Sequence, residues 1–277
     1  MSTDTQAAKP AKTAKAAKRA GAAKGTCELI EHLPFTTDNG IGKRARIGLI
    51  VLATDYTIEH EFRQVITMPD VAFYESRIMN SATITPETLA AMASGIAGAA
   101  DLLLPGSHLD VIGYGCTSAS MVLGEERVFE LVKSVRPKSK VTTPITAAFA
   151  AFDAFKAKRI GVLTPYRRDV NEVVRSYIEK KGYEVPVFGS FNEQNDGVVA
   201  AIDGDSIKRG VEAITRKHKV DMVFVSCTSV RLAGAAASIE KELGIPVTSS
   251  NHAMAWHCLR LAGVTDKRPE LGRLYEK

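Results

Sequence analysis

"RIGLIVLATDYTIEHEFRQVI", residues 46–66, is a continuous apolar run, then a polar turn, then an amphipathic helical stretch. "RIGVLTPYRRDVNEVVRSYIEKKG", residues 159–182, has the same order. Each segment leads through helical sequence to a second apolar run, "LDVIGYG" (109–115) in the first half and "VDMVFVS" (220–226) in the second. Helix-period stretches follow, "SMVLGEERVFELVKSV" (120–135) and "RLAGAAASIEKELG" (231–244). Then come a short strand and turn, "KVTTPITAA" and "IPVTSSNHA", and a last helix, "FAAFDAFKAK" and "MAWHCLRLAG". Short apolar runs alternating with helix-period segments predict parallel strands covered by helices on both faces. The repetition predicts an α/β fold of two pseudo-symmetric Rossmann-like lobes, each a mostly parallel sheet flanked by helices, around a shared cleft.

Four regions follow: a basic tail over 1–25, an N-terminal extension over 26–45, lobe 1 over 46–150 and lobe 2 over 151–277, with exchange of chain between the lobes allowed. The tail holds six basic residues and one acidic residue, which accounts for the whole net charge of +5. The remainder is balanced, so the charge does not argue for a nucleic-acid-binding fold; any such contact is expected to be weak and confined to the tail. The tail lacks a signal-peptide apolar segment and reads as disordered or transiently helical. No apolar run approaches the roughly 20 residues of a membrane span, so no membrane partner is expected. The four cysteines form no CxxC pair. A structural zinc site is therefore not expected, and free thiols in the cytoplasm are.

Two of those cysteines repeat with the halves. "GCTSAS" (115–120) and "SCTSVR" (226–231) each end an apolar run with Cys-Thr-Ser, at Cys116 and Cys227. Ligands in open α/β sheets bind at the carboxyl ends of the strands. The turns at 53–57, 116–118, 164–171 and 227–229 all fall there. Facing halves would bring both thiols to one cleft. A cysteine at a helix N-terminus has its thiolate favoured by the helix dipole. Thr117, Ser118, Thr228 and Ser229 add hydroxyl and backbone N–H donors suited to a carboxylate. Two thiols on opposite faces of one carbon can remove a proton and return one to the other face. That chemistry needs no cofactor, and the sequence carries no motif for pyridoxal phosphate or a metal.

"CTSAS", "TPYRRDVNE", "SCTSVR" and "ELGIPVTSSNHAMAWHCLRLAG" together resemble the aspartate/glutamate racemase superfamily over about Arg46 to Val264. The similarity is to the branch of maleate cis–trans isomerase, arylmalonate decarboxylase and the racemase-like protein of ectoine utilisation. The resemblance implies a cofactor-independent enzyme, Cys116 and Cys227 as the catalytic pair, and a small carboxylate-bearing substrate. The decarboxylases of this branch keep only the second cysteine; this chain has both, which argues against decarboxylation. The isomerases carry an Asn after the first strand that helps bind a carboxylate; here Asp55 stands in its place, beside Thr54. An acid facing a dianion is repulsive, whereas it suits an ammonium. The expectation is a two-cysteine racemase of a small amino acid or N-acylated diamino acid, as in ectoine breakdown. Maleate cis–trans isomerisation is the alternative, and a catalytically silent small-acid-binding protein a further one. A homo-oligomer is expected.

Asp55 also fits a helix cap before "TIEHEF". Tyr166 and Asn171, in the turn after the third major strand, match family positions. Tyr166 suits a hydrogen bond to substrate; Asn171 suits either a carboxylate or a cap. Asn251 reads as holding a cleft turn, and His252, His257, Trp256 and Cys258 as packing residues of the last helix.

Overall fold

The computed structural model describes residues 27–81, 85–193 and 195–277; the tail lies outside the described residues. Residues 27–38 carry no helix or strand. Residues 39–277 form one compact unit. Its first half runs β1 (Ala45–Leu52), α1 (Ile58–Val65), β2 (Val71–Ile78), α2 (Pro86–Ala91), α3 (Ala93–Leu102), β3 (Val111–Tyr114), α4 (Thr117–Leu123), α5 (Glu125–Lys133), β4 (Lys140–Thr142) and α6 (Pro144–Phe155). The second runs β5 (Arg159–Thr164), α7 (Arg168–Lys180), β6 (Glu184–Ser190), α8 (Asp196–Ala201), α9 (Gly204–Thr215), β7 (Met222–Val225), α10 (Ala236–Leu243), β8 (Val247–Ser249) and α11 (Ser250–Leu261).

The strands form two four-stranded sheets, ordered β2-β1-β3-β4 and β6-β5-β7-β8. Every pairing is parallel. The duplication read in the sequence is therefore a duplicated sheet. In each sheet the chain leaves its first strand for the edge and later crosses to the opposite side, so a crevice opens between the carboxyl ends of β1 and β3, and of β5 and β7. The central strands are apolar because both faces are covered: β1 is buried along nearly its whole length, and β3 and β7 throughout. One core cluster runs from Ala45 to Tyr275 and so joins both halves.

The structure adds what the apolar pattern did not reveal. The edge strands β2 and β6 are half-exposed and mix charged with apolar residues, as in "VAFYESRI", so they lack the continuous apolar signal. The helix after Cys116 breaks in two at Gly124, whose φ of 84° ends α4 before α5 begins. Helix α11 packs against α6 but also against β3 and β4 of the first sheet. A Cβ at Gly113 of β3 would lie 2.7 Å from the Met254 methyl of α11, so the bare glycine lets that helix approach. No helix among the described residues is long and apolar enough to cross a membrane.

Candidate active site

A cavity lies where the strand ends of the two sheets meet. Cys116, Thr117 and Ser118 reach it from the turn after β3, and Cys227, Thr228 and Ser229 from the turn after β7. Asp55 follows β1 and Tyr166 follows β5. The eight come from equivalent positions in the two halves, and both thiols line the one cavity.

The two cysteines are held differently. Cys116 is the N-cap of α4, as its position before a helix-forming run predicts. Its Sγ lies 3.8 Å from the Ser118 hydroxyl and is also stabilised by the backbone N–H of Ala119. Cys227 does not begin a helix: turns follow it, and α10 starts only at Ala236. The reason lies in the other half. The Glu61 carboxylate of α1 accepts from the N–H groups of Leu232 and Ala233, both at 2.6 Å, and so takes donors from the intervening loop. Cys227 Sγ instead accepts the Ser229 N–H at 3.4 Å and is supported by the Tyr166 hydroxyl. Only Cys116 therefore stands at a helix N-terminus.

Burial dominates both sulfurs. It pushes Cys116 up to about 11 and Cys227 up to about 12, with the negative charges of Asp55 and Asp196 adding to the rise. Without a ligand both are thiols at neutral pH.

Asp55 lies two residues before Thr57, the N-cap of α1, and lines the cavity. Oδ1 accepts from the N–H groups of Thr57 (2.7 Å) and Ile58 (3.0 Å), which fixes the entry to α1. Oδ2 is buried without a hydrogen bond of its own, with the Thr228 hydroxyl beside it. Arg77 grips the same turn from behind, donating to the carbonyls of Leu52 and Asp55, and pairs with Glu59. It does not line the cavity.

A second carboxylate, absent from the sequence reading, joins Asp55. Asp196, the first residue of α8, lines the same cavity with hydroxyl support from Ser229 and Thr54. Burial raises both acids above the usual carboxylate range. "NDG" at 195–197 reads as an ordinary helix start, and Asn195 does cap it by accepting from the Val198 N–H. Nothing in that local pattern marks Asp196 as facing a cleft. Among the described residues no lysine, arginine or histidine lines the cavity.

Two candidates are not brought to the cavity wall. Thr54 is exposed and bonded to Asn80, which does line it. Asn171 clamps the turn after β5: its Oδ1 accepts from the Thr164 hydroxyl and its Nδ2 donates to the Tyr166 carbonyl. Both of its polar groups are thereby taken. Thr117 lines the cavity, but its hydroxyl donates to Ser250 Oγ at 2.8 Å, and Ser250 Oγ accepts from the Cys227 N–H at 3.1 Å. That serine ties the two thiol turns together across the halves. Leu52, Ser81, Thr88, Leu89 and Met92 complete the wall from the first half.

The helix-11 residues read as structural are so placed. His252 bonds to Thr248 Oγ1 and the Leu271 carbonyl, His257 to Thr142 Oγ1, and Asn251 Nδ2 donates to the Thr228 carbonyl and to Glu61. Among the described residues no group of three or more His, Cys, Asp or Glu is arranged to hold a metal.

The chain is similar to known proteins of one family. The family model "Arylmalonate decarboxylase" matches residues 47–275. The maleate isomerase of Pseudomonas putida is 29% identical over 243 residues, covering 83% of this chain and 96% of that protein. The arylmalonate decarboxylase of Bordetella bronchiseptica is 27% identical over 213 residues, 76% of this chain and 88% of that one. A solved structure of a cysteine-to-serine mutant of the Nocardia farcinica maleate cis–trans isomerase, with a covalently bound succinylcysteine intermediate, superposes with a TM-score of 0.75 at 27% identity. It covers 83% of this chain and 98% of that one.

Proposed function

Because the chain belongs to the arylmalonate decarboxylase family, we propose that it is a cofactor-independent, two-cysteine racemase of a small amino acid or N-acylated diamino acid, such as one arising in ectoine breakdown. The observation that carries this reading is the pairing of two thiols with the buried Asp55 and half-buried Asp196 carboxylates in a cavity that no described cationic side chain lines. A dianion would meet Asp55 and Asp196 without a cation to offset them. An α-ammonium would sit between them and supply the missing positive charge.

The mechanism follows from that charge. Asp55 and Asp196 help keep both sulfurs protonated. An ammonium placed between the acids offsets that field and lowers both thiols toward ionisation. One thiolate then takes the α-proton, and the electron pair left on carbon delocalises into the substrate carboxylate. The turns at Thr117–Ser118 and Thr228–Ser229 offer donors for that carboxylate. The opposite thiol returns a proton to the other face, which inverts the centre and leaves the two sulfurs with their protonation exchanged. The Tyr166 hydroxyl and the Ser229 N–H stabilise charge on Cys227; the Ser118 hydroxyl and Ala119 N–H do so on Cys116. We place the reaction in the cytoplasm and expect a homo-oligomer.

Maleate cis–trans isomerisation is the second reading, favoured by the names of the relatives. There one thiolate adds to the double bond, the carbon–carbon axis turns and the thiolate leaves. Exchanging the acids for amides separates the two. Asp55→Asn and Asp196→Asn should each weaken kcat/KM for amino acids by roughly 5- to 150-fold, about 1–3 kcal/mol. The same changes should improve binding of maleate. If wild type turns over maleate readily and neither amide variant alters the preference, the isomerase reading replaces the racemase.

A further inference from the structure

Racemisation from two faces constrains the rest of the substrate. The α-proton leaves one face and returns on the other, so the three remaining substituents must stay held roughly in the plane between the sulfurs. The cavity offers acids for an ammonium and donors for a carboxylate; the third substituent needs a place of its own. A second, smaller cavity adjoins the first and shares Leu89 and Ser118 with it. Its other walls are Val122 of α4 and Val170, Val173 and Val174 of α7, with Asp169 as its one charged residue. The Asp169 side chain is 69% exposed and lies 3.9 Å from Arg167, so its charge is turned to solvent. The lining is thus aliphatic apart from the Ser118 hydroxyl, the group 3.8 Å from Cys116 Sγ. Elements of both halves build it, as they build the thiol cavity.

We propose that this aliphatic cavity is the side-chain subsite: it takes an unbranched apolar substituent of a few carbons attached to the carbon that lies between Cys116 and Cys227. The inference rests on the racemase reading and sharpens it, because it selects amino acids with an aliphatic arm over those with a charged one. A carboxylate entering it would lose water, find one hydroxyl and meet the charge of Asp169 at its rim. A methylene entering it gains affinity, about fourfold for each one buried.

The test is a homologous series: L-alanine, L-2-aminobutyrate, L-norvaline and L-norleucine. Dissociation constants come from calorimetry, and turnover from deuterium uptake at the α-carbon in D₂O. The subsite predicts a rise of about fourfold per methylene in affinity and in kcat/KM over the first members. Val173→Phe, which fills the cavity from a partly buried position of α7, should flatten that slope. A flat wild-type series with deuterium uptake intact overturns the subsite and leaves the racemase standing. A rising series of affinities without deuterium uptake in any member overturns the racemase reading and keeps the subsite. Because the wild-type slope is decisive by itself, the test does not depend on the variant folding.

Discussion

Cys116 and Cys227 keep their protons because a sulfur anion in this cavity would lose its water and face two carboxylates. A thiol pushed up to about 11 is ionised in only about one molecule in ten thousand at pH 7. Alkylation by iodoacetamide, mapped by mass spectrometry, should therefore mark exposed Cys27 first. The rates at Cys116 and Cys227 should climb about tenfold per pH unit between pH 7 and 10, since thiolate is the reacting form. A rate at either site that is already level at neutral pH would contradict this account. The two cysteines were legible in the sequence because the chain writes them twice at equivalent strand ends. Asp196 was not, because a helix-start acid after an Asn cap looks the same whether it faces solvent or a cleft. Sequence left Asn171 open between a carboxylate ligand and a structural residue, because a polar side chain near a site can be used wholly in holding the turn, as Thr164 and Tyr166 use it.

At the scale of elements, α1 is the joint between the halves. Thr57 Oγ1 donates to the Ser229 carbonyl, and Glu61 accepts from Leu232, Ala233 and Asn251. The turn that presents Asp55 is thereby fastened to the loop that follows Cys227. Glu61 is fully enclosed, and burial pushes its carboxyl up to about 7 despite those bonds. The sign follows from linkage. Between about pH 4.5 and 7 the unfolded chain has released this proton and the folded chain has kept it, so Glu61 makes stability fall as pH rises. The shift corresponds to about 3 kcal/mol across that window. His252 and His257, buried neutral and lowered to about 4, act in the opposite sense. The readout is therefore the difference between Glu61→Gln and wild type in urea unfolding, where the histidines cancel. Wild type should lose about 3 kcal/mol relative to the variant from pH 4.5 to 7; parallel curves would show that Glu61 is ionised throughout. Periodicity could not reveal this joint, since "TIEHEF" is a normal amphipathic helix start and the partners of Glu61 lie about 170 residues away. Nor could it show the edge strands β2 and β6, whose half-exposed faces remove the apolar run that identifies a buried strand.

The whole molecule is one sheet design used twice, with strand order β2-β1-β3-β4 matched by β6-β5-β7-β8. Duplication places equivalent strand ends against each other, so a thiol written once in the repeat is delivered to the cavity from both halves. Ser250, bridging the Thr117 hydroxyl and the Cys227 N–H, keeps the two deliveries in register. The central claim is that each sulfur serves one face of a single carbon, and solvent exchange in single-cysteine variants tests it most directly. Each enantiomer of the best amino-acid substrate is incubated in D₂O with wild type, Cys116→Ser and Cys227→Ser, and α-deuterium is followed by NMR. The account predicts that wild type labels and interconverts both enantiomers. Each variant should fail to racemise, and any exchange that survives should affect one enantiomer, opposite for the two variants. Conversion of maleate to fumarate by wild type, with no deuterium entering any amino acid, would contradict it.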